Sequence, residues 1–186
     1  MASEMVFGLR GELRFDVAQG RIGFAGQSAS YLPVKFLTGW LVTVEQSLGM
    51  AGLEHVQRAT AEQFYHFQEK LLGGAEAWRK AQPTERLRLS FDLMRLEGWG
   101  RFEWEEITSK SGRVWTRNNA VAEAYLENMQ RWMWPLREVS FCAVVAGRLQ
   151  AAVALAGDLS LERVSVVERT CLTVGADRCS FRVEAD

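Results

Sequence analysis

The segment that most restricts how this chain can fold is "FCAVVAGRLQAAVALAG", residues 141–157. It is apolar except for Arg148 and Gln150. Seventeen residues with a charge in the middle are short for a bilayer and predict a helix buried in a core, not a membrane span. The remaining elements are then to be read as its cover.

With 186 residues the chain suffices for one domain, or at most two small ones, with a core of ordinary size. Hydrophobic residues at 48% and charged residues at 24% exclude a disordered chain. A net charge of -1, with no Lys/Arg run longer than two, offers no field for nucleic acid or an anionic membrane. Seven Trp and ten Phe predict either tightly packed rings or a ring-lined cavity. The start "MASEMVFGLRGELRF" lacks a basic stretch followed by an apolar one, so no secretion signal is expected. Three cysteines, an odd number, then favour a reducing cytoplasm over a disulfide framework.

No repeat, low-complexity tract or linker divides the sequence, so residues 1–186 read as a single domain. "ELRFDVAQGRIGFAG" predicts an N-terminal hairpin around Gln19-Gly20. Leu32 to Leu48 is helical in pattern, with Pro33 in the first turn and Gly49 at the end. A second, amphipathic helix follows through Leu53, Val56, Thr60, Phe64, Phe67 and Leu71, closed by Gly73-Gly74. Pro83 opens a third with Leu87, Phe91 and Met94 on one face, ended by "EGWG". "RFEWEEITSKSGRVWTRNN" reads as two strands, with Phe102, Trp104 and Ile107 set against Val114. Asn118 or Asn119 caps a helix bearing Val121, Tyr125, Met129 and Trp132, broken by Pro135. The apolar helix comes next, with Cys142 inside it, and then a C-terminal strand pair around Gly-Ala-Asp. Helices and antiparallel strands in separate runs give an α+β fold.

Two of the three cysteines lie in the last strand pair, in "ERTCLTVGADRCSF". Glu168, Cys171 and Cys179 have the spacing E-x2-C-x7-C, and Cys142 can supply a fourth ligand for zinc. A disulfide, a reactive thiol or a set of small buried hydrophobes are the competing readings, the last being ordinary for a cysteine on an apolar helix. Register decides between them. Pairing Val174 with Cys179 separates the thiols to opposite faces. Pairing Thr173 with Cys179, around a loop from Val174 to Arg178, puts both on one face as diagonal neighbours about 7–8 Å apart. Glu168 has the opposite parity to Cys171, and joins them only if a bulge or bend occurs near Arg169-Thr170.

From Gly98 onward the order of motifs resembles the 4-vinyl reductase domain family: "GWG" at 98–100, "NNAVAEAY" at 118–125, "FCAVVAGRLQ" at 141–150 and "VVERTCLTVGADRCSF" at 166–181. The motif region is 98–186; residues 1–97, the hairpin and first helices, match only in their order of elements. The resemblance implies a fold like that of TRAPP vesicle-tethering subunits, with helices packed on an antiparallel sheet, and a homodimer. Members of the family include an accessory protein of bacteriochlorophyll synthesis and the sensory domains of bacterial activators responding to phenol, xylene and related aromatics. In those sensors Cys, Glu, Cys and Cys hold zinc beside an aromatic pocket, which corresponds here to Cys142, Glu168, Cys171 and Cys179. Four protein ligands make such a zinc structural and not catalytic.

The same resemblance suggests a ligand pocket. Trp115 lies near the sensors' pocket tryptophan, and Phe64, Phe91, Trp99, Tyr125 and Trp132 can line a common cavity, although each also suits plain core. The sensors bind the phenolic oxygen with a histidine, to which His66 is loosely comparable; His55 and His66 otherwise read as solvated residues on a polar helix face. Without a polar group the ligand would be apolar. No nucleotide loop or local catalytic triad pattern occurs. The expected function is thus a cytoplasmic, non-enzymatic sensor or carrier of an apolar or aromatic small molecule, with a structural zinc, a homodimeric state and a possible protein partner, without nucleic acid or membrane. The alternatives are a role in tetrapyrrole vinyl reduction, for which no hydride-cofactor motif is present, and a dimeric protein-interaction module.

Overall fold

The structure, a computed structural model, describes residues 13–16, 21–24, 27–29, 34–73, 76–105, 111–133, 137 and 141–186. Strands β1 (Leu13–Asp16), β2 (Arg21–Phe24) and β3 (Gln27–Ala29) form an antiparallel sheet in that order. The expected first hairpin is therefore present, with Leu13 opposite Phe24 and Asp16 opposite Arg21; its tip at Gln19-Gly20 lies outside the described residues. The third strand has no counterpart in the sequence reading.

Helix α1 spans Val34–Leu72 and is broken at Gly49, whose φ of 63° and ψ of -155° interrupt the helical path. The two helices expected on either side of Gly49 are thus successive limbs of one long, kinked element. After the short α2 (Glu76–Lys80) comes α3 (Pro83–Leu96), with proline at its start and Leu87, Phe91 and Met94 buried, as the pattern required. Strands β4 (Arg101–Glu105) and β5 (Ser111–Arg117) pair antiparallel with Trp104 opposite Val114. Ile107 lies outside the described residues.

Helix α4 (Ala120–Trp132) starts at Asn119, whose side-chain oxygen accepts from the amides of Val121 and Ala122. Of the two candidate caps, it is the second that acts; Asn118 instead takes a left-handed φ of 54° where the chain turns from β5. Helix α5 (Ala143–Ala156) is the central helix, and ten of its residues are buried. Cys142 is its N-cap with φ of -86° and ψ of 38°, so the thiol sits at the helix mouth and not inside the helix as the sequence pattern indicated.

Strands β6 (Val164–Thr170) and β7 (Cys179–Ala185) complete a four-stranded antiparallel sheet of order β4-β5-β7-β6. The helices pack on this sheet, giving the expected α+β fold. Val164 and Val166 of β6 and Cys179, Phe181 and Val183 of β7 are buried with α5 and α1 in one core. Side-chain amides pin the layers together. Gln57 of α1 donates to the Val166 carbonyl, and Gln150 of α5 donates to the carbonyls of Leu161 and Val164.

Candidate metal centre

The ligand register departs from both pairings considered above. Strands β6 and β7 match Val164 with Ala185 through to Glu168 with Phe181, then slip by one so that Thr170 meets Ser180. The slip is a bulge at Arg169, where it was required. Cys171 therefore comes one step beyond the Thr170–Ser180 pair, facing Cys179 across the strand ends, and neither Thr173 nor Val174 pairs with Cys179. The physical reason lies in the connection. Leu172–Val174 coil into a 3-10 turn closed by Gly175 in a left-handed conformation (φ 87°), with the Cys171 carbonyl accepting from Val174 and Ala176. A coiled turn consumes residues that an extended hairpin would have paired. The Thr170 hydroxyl closes its neck through the Arg178 carbonyl and the Ser180 hydroxyl.

The bulge also changes parity. Glu168 follows Val164 and Val166 on the inner face of β6, and the extra residue brings Cys171 to that same face. The mouth of α5 closes the arrangement from above, since the Cys142 amide donates to Glu168 Oε2 at 2.9 Å. The sulfurs form a triangle: 3.6 Å from Cys142 to Cys171, 3.8 Å from Cys142 to Cys179 and 3.5 Å from Cys179 to Cys171. All four ligand atoms lie within 4.8 Å of one another, and all three cysteines are buried and unbridged. This cluster can bind a metal ion.

Each sulfur accepts a further hydrogen bond from outside the cluster. Asn119 Nδ2 approaches Cys142 Sγ at 3.3 Å, the Thr173 hydroxyl approaches Cys171 Sγ at 3.1 Å, and the Leu172 amide approaches Cys179 Sγ at 3.5 Å. Burial of so many acids in one place sets their protonation. Burial, aided by the charge on Cys171, pushes the Glu168 carboxyl up to about 9. Burial likewise holds the Cys142 thiol well above its ordinary value. Hydrogen bonds from Cys142, Cys179 and Thr173 pull Cys171 far down. For Cys179 the bond from Cys142 acts downward but is outweighed by the Cys171 contact and by burial, so that thiol rises. The Glu168 Oε1 atom is buried without a hydrogen-bond partner.

The residues expected around an aromatic ligand fall in several places. Phe64 and Trp99 flank the Arg148 guanidinium, at 4.2 and 4.0 Å from the ring centroids, so a side chain of this protein fills the gap between them. Phe91 packs on Phe102 and Trp104, and Tyr125 packs on Phe141. Trp115 is buried, with Arg117 and Arg178 near its ring. His66 is exposed beside Glu69, and His55 is exposed as well. The side chain of Trp132 is not among those described. A separate open groove of about 640 Å³ runs between α1 and α4, walled by Lys35, Phe36, Trp40, Thr43, Asn128 and Arg131. Phe36 and Trp40 are partly exposed residues at i, i+4, a pattern that sequence reading leaves ambiguous between core and surface.

Among solved structures, the chain is similar to the phenol-responsive sensory domain of the transcription activator PoxR with phenol. That match has a TM-score of 0.78 at 15% identity, over 98% of this chain and 89% of the other. It is also similar to trafficking protein particle complex subunit 3 from Naegleria fowleri, covalently bound to palmitic acid, with a TM-score of 0.57 at 10% identity over 82% and 95%. At these identities the likeness establishes the fold, including its TRAPP-subunit-like character. No family model and no curated protein matches the sequence. No described helix is long and apolar enough to cross a membrane.

Proposed function

We propose that this protein is a small-molecule-binding sensory or carrier domain, built as a member of the 4-vinyl reductase type, in which Cys142, Glu168, Cys171 and Cys179 hold a structural zinc ion. The observation that carries the metal is the sulfur triangle. Thiolates 2.3 Å from a zinc ion at tetrahedral angles are about 3.8 Å apart, and the three sulfur separations here run from 3.5 to 3.8 Å. The carboxylate supplies the fourth corner, and its unpartnered Oε1 gains a role. A divalent cation also supplies the positive charge that lets several buried acids ionise together. When bound, zinc would join α5 to the strand ends; with four protein ligands it has no open position for a substrate. Such a zinc is structural and takes no part in catalysis.

The sensing role is supported by the similarity to the PoxR domain in fold and by the aromatic content of the core. An apolar or aromatic ligand, a homodimeric state, a cytoplasmic location and a protein partner complete the proposal. The test is native mass spectrometry of the purified chain joined to elemental analysis. One zinc per chain and a retained or added aromatic molecule are expected; well under half an equivalent of metal would sink the zinc assignment. A second reading, the protein-interaction module, is favoured by Phe36, Trp40, Leu48 and Met50, all exposed along the first limb of α1 and just past its kink. A dimer that retains no ligand and binds no aromatic in the same experiment would favour it.

A further inference from the structure

We infer that Asn119 is a positioning residue that couples the sulfur cluster to helix α4; this rests on the metal reading above. Asn119 is completely buried, and both ends of its amide are hydrogen-bonded. Its Oδ1 accepts from the amides of Val121 and Ala122 at 3.1 and 3.2 Å, which fixes which end of the amide is oxygen. The Nδ2 group must then face Cys142 Sγ, 3.3 Å away, and it has only protons to offer. An N–H aimed at a sulfur fixes the direction in which that sulfur faces the cluster, as outer-sphere partners of metal ligands do. One side chain therefore caps a helix with its oxygen and orients a metal ligand with its nitrogen.

The coupling extends in both directions. On the cluster side, Cys142 is itself the N-cap of α5, so Asn119 joins the N-termini of two helices through one sulfur. On the far side, α4 carries Tyr125, which packs on Phe141 next to Cys142, and Asn128, which donates to the Lys35 carbonyl and walls the open groove. Loading the cluster and ordering the first turn of α4 are thus linked, and each strengthens the other by the same factor.

Thr173 provides the internal comparison. Its hydroxyl donates to Cys171 Sγ at 3.1 Å, so it supports the cluster, but it caps no helix of the α4 kind. Both residues should tune metal affinity, and only Asn119 should carry the effect into α4.

The experiment is cobalt(II) titration of the full chain against a competing chelator, followed by the thiolate charge-transfer band, for wild type, Asn119→Asp, Asn119→Ser and Thr173→Val. Aspartate and serine both retain a capping oxygen, but aspartate turns an acceptor toward the sulfur and serine cannot span the distance. Outer-sphere losses of this kind typically cost 10–100-fold in metal affinity, and that loss is expected for all three variants. Amide hydrogen exchange of Val121 and Ala122 should slow on loading in wild type and in Thr173→Val, and stay unchanged by metal in both Asn119 variants. Wild-type affinity in folded Asn119→Asp and Asn119→Ser overturns the inference alone. A wild-type chain that takes up neither cobalt nor zinc overturns the metal reading and the inference with it.

Discussion

Cys171 lies one step past the Thr170–Ser180 pair that ends the β6–β7 ladder, and its sulfur is 3.5 Å from that of Cys179. Two thiols held this closely at the mouth of a buried helix invite a common partner. Replacing Cys179 by serine keeps the volume and removes a soft ligand. The zinc content should fall from one to well below half an equivalent, and thermal stability should fall with it, because metal affinity is part of the folding free energy. Cys142→Ser should behave alike, although its ligand comes from a different layer of the fold. Unchanged melting and metal content in both variants would mean that the cysteines are merely buried.

The bulge at Arg169 gives a sharper prediction, since it determines whether Glu168 can join the cluster at all. Deleting exposed Arg169 removes the extra residue of the bulge, and simple alternation then keeps Glu168 and Cys171, now two positions apart, on one face with the Thr170–Ser180 pair unchanged. Metal binding should therefore persist in the deletion variant and fall more than tenfold in Glu168→Gln, which keeps the register and loses the charge. Arg169→Ala, which leaves the residue count intact, should bind as wild type. Isothermal titration with zinc checks this, and a deletion variant that no longer binds would contradict the assigned register.

These residues also mark how far the sequence could be read. The need for a bulge between Glu168 and Cys171 follows from strand parity alone, so it was legible. The pairing partner of Cys179 was not, because register depends on whether the connection is extended or coiled, and nothing local announces the 3-10 turn at Leu172–Val174. The central helix was legible from its uninterrupted apolar run, but its start was misplaced by the apolar Phe141 and Cys142, which continue the hydrophobic pattern without being helical. The four residues of the cluster were legible as a set only through family resemblance. Asn119 carried a clear capping signal, but its second contact, to Cys142, joins residues 23 apart and has no sequence signature. Arg148 was visible as the charge in the apolar helix; that it would occupy the space between Phe64 and Trp99 depended on how α5 meets α1.

Arg148 pairs with Glu97, and both side chains are mostly buried. Burial pulls the guanidinium below its usual range, and Glu97 opposes this. Removing one member of such a pair leaves the other charge uncompensated. Arg148→Met should lower the unfolding free energy by about 3 kcal/mol. Adding Glu97→Gln should restore most of the loss, because the orphaned charge is then gone. Urea denaturation of the two single variants and the double variant measures the coupling. A double variant no better than Arg148→Met would assign the cost to lost stacking on Phe64 and Trp99 instead.

Three glycines predict three different outcomes for the same substitution. At Gly147 a Cβ would meet the Gln57 carbonyl oxygen at 2.3 Å and the Thr60 Cβ at 2.9 Å, so α5 and α1 are as close as their backbones allow. Gly147→Ala must push the helices apart and should cost about 3 kcal/mol or more, at the upper end for overpacking, since backbone cannot yield as a side chain does. At Gly49 there is open space, but φ is 63°, so Gly49→Ala should cost about 1–2 kcal/mol through backbone strain alone. Gly39 has neither obstacle: it sits inside α1, and a methyl group there would meet nothing within 4 Å. Gly39→Ala should stabilise by about 0.5–1 kcal/mol through helix propensity. Thermal melts of the three variants should therefore rank Gly39→Ala above wild type, then Gly49→Ala, then Gly147→Ala. A Gly147→Ala variant as stable as wild type would contradict the close crossing of α1 and α5 on which the placement of Cys142 depends.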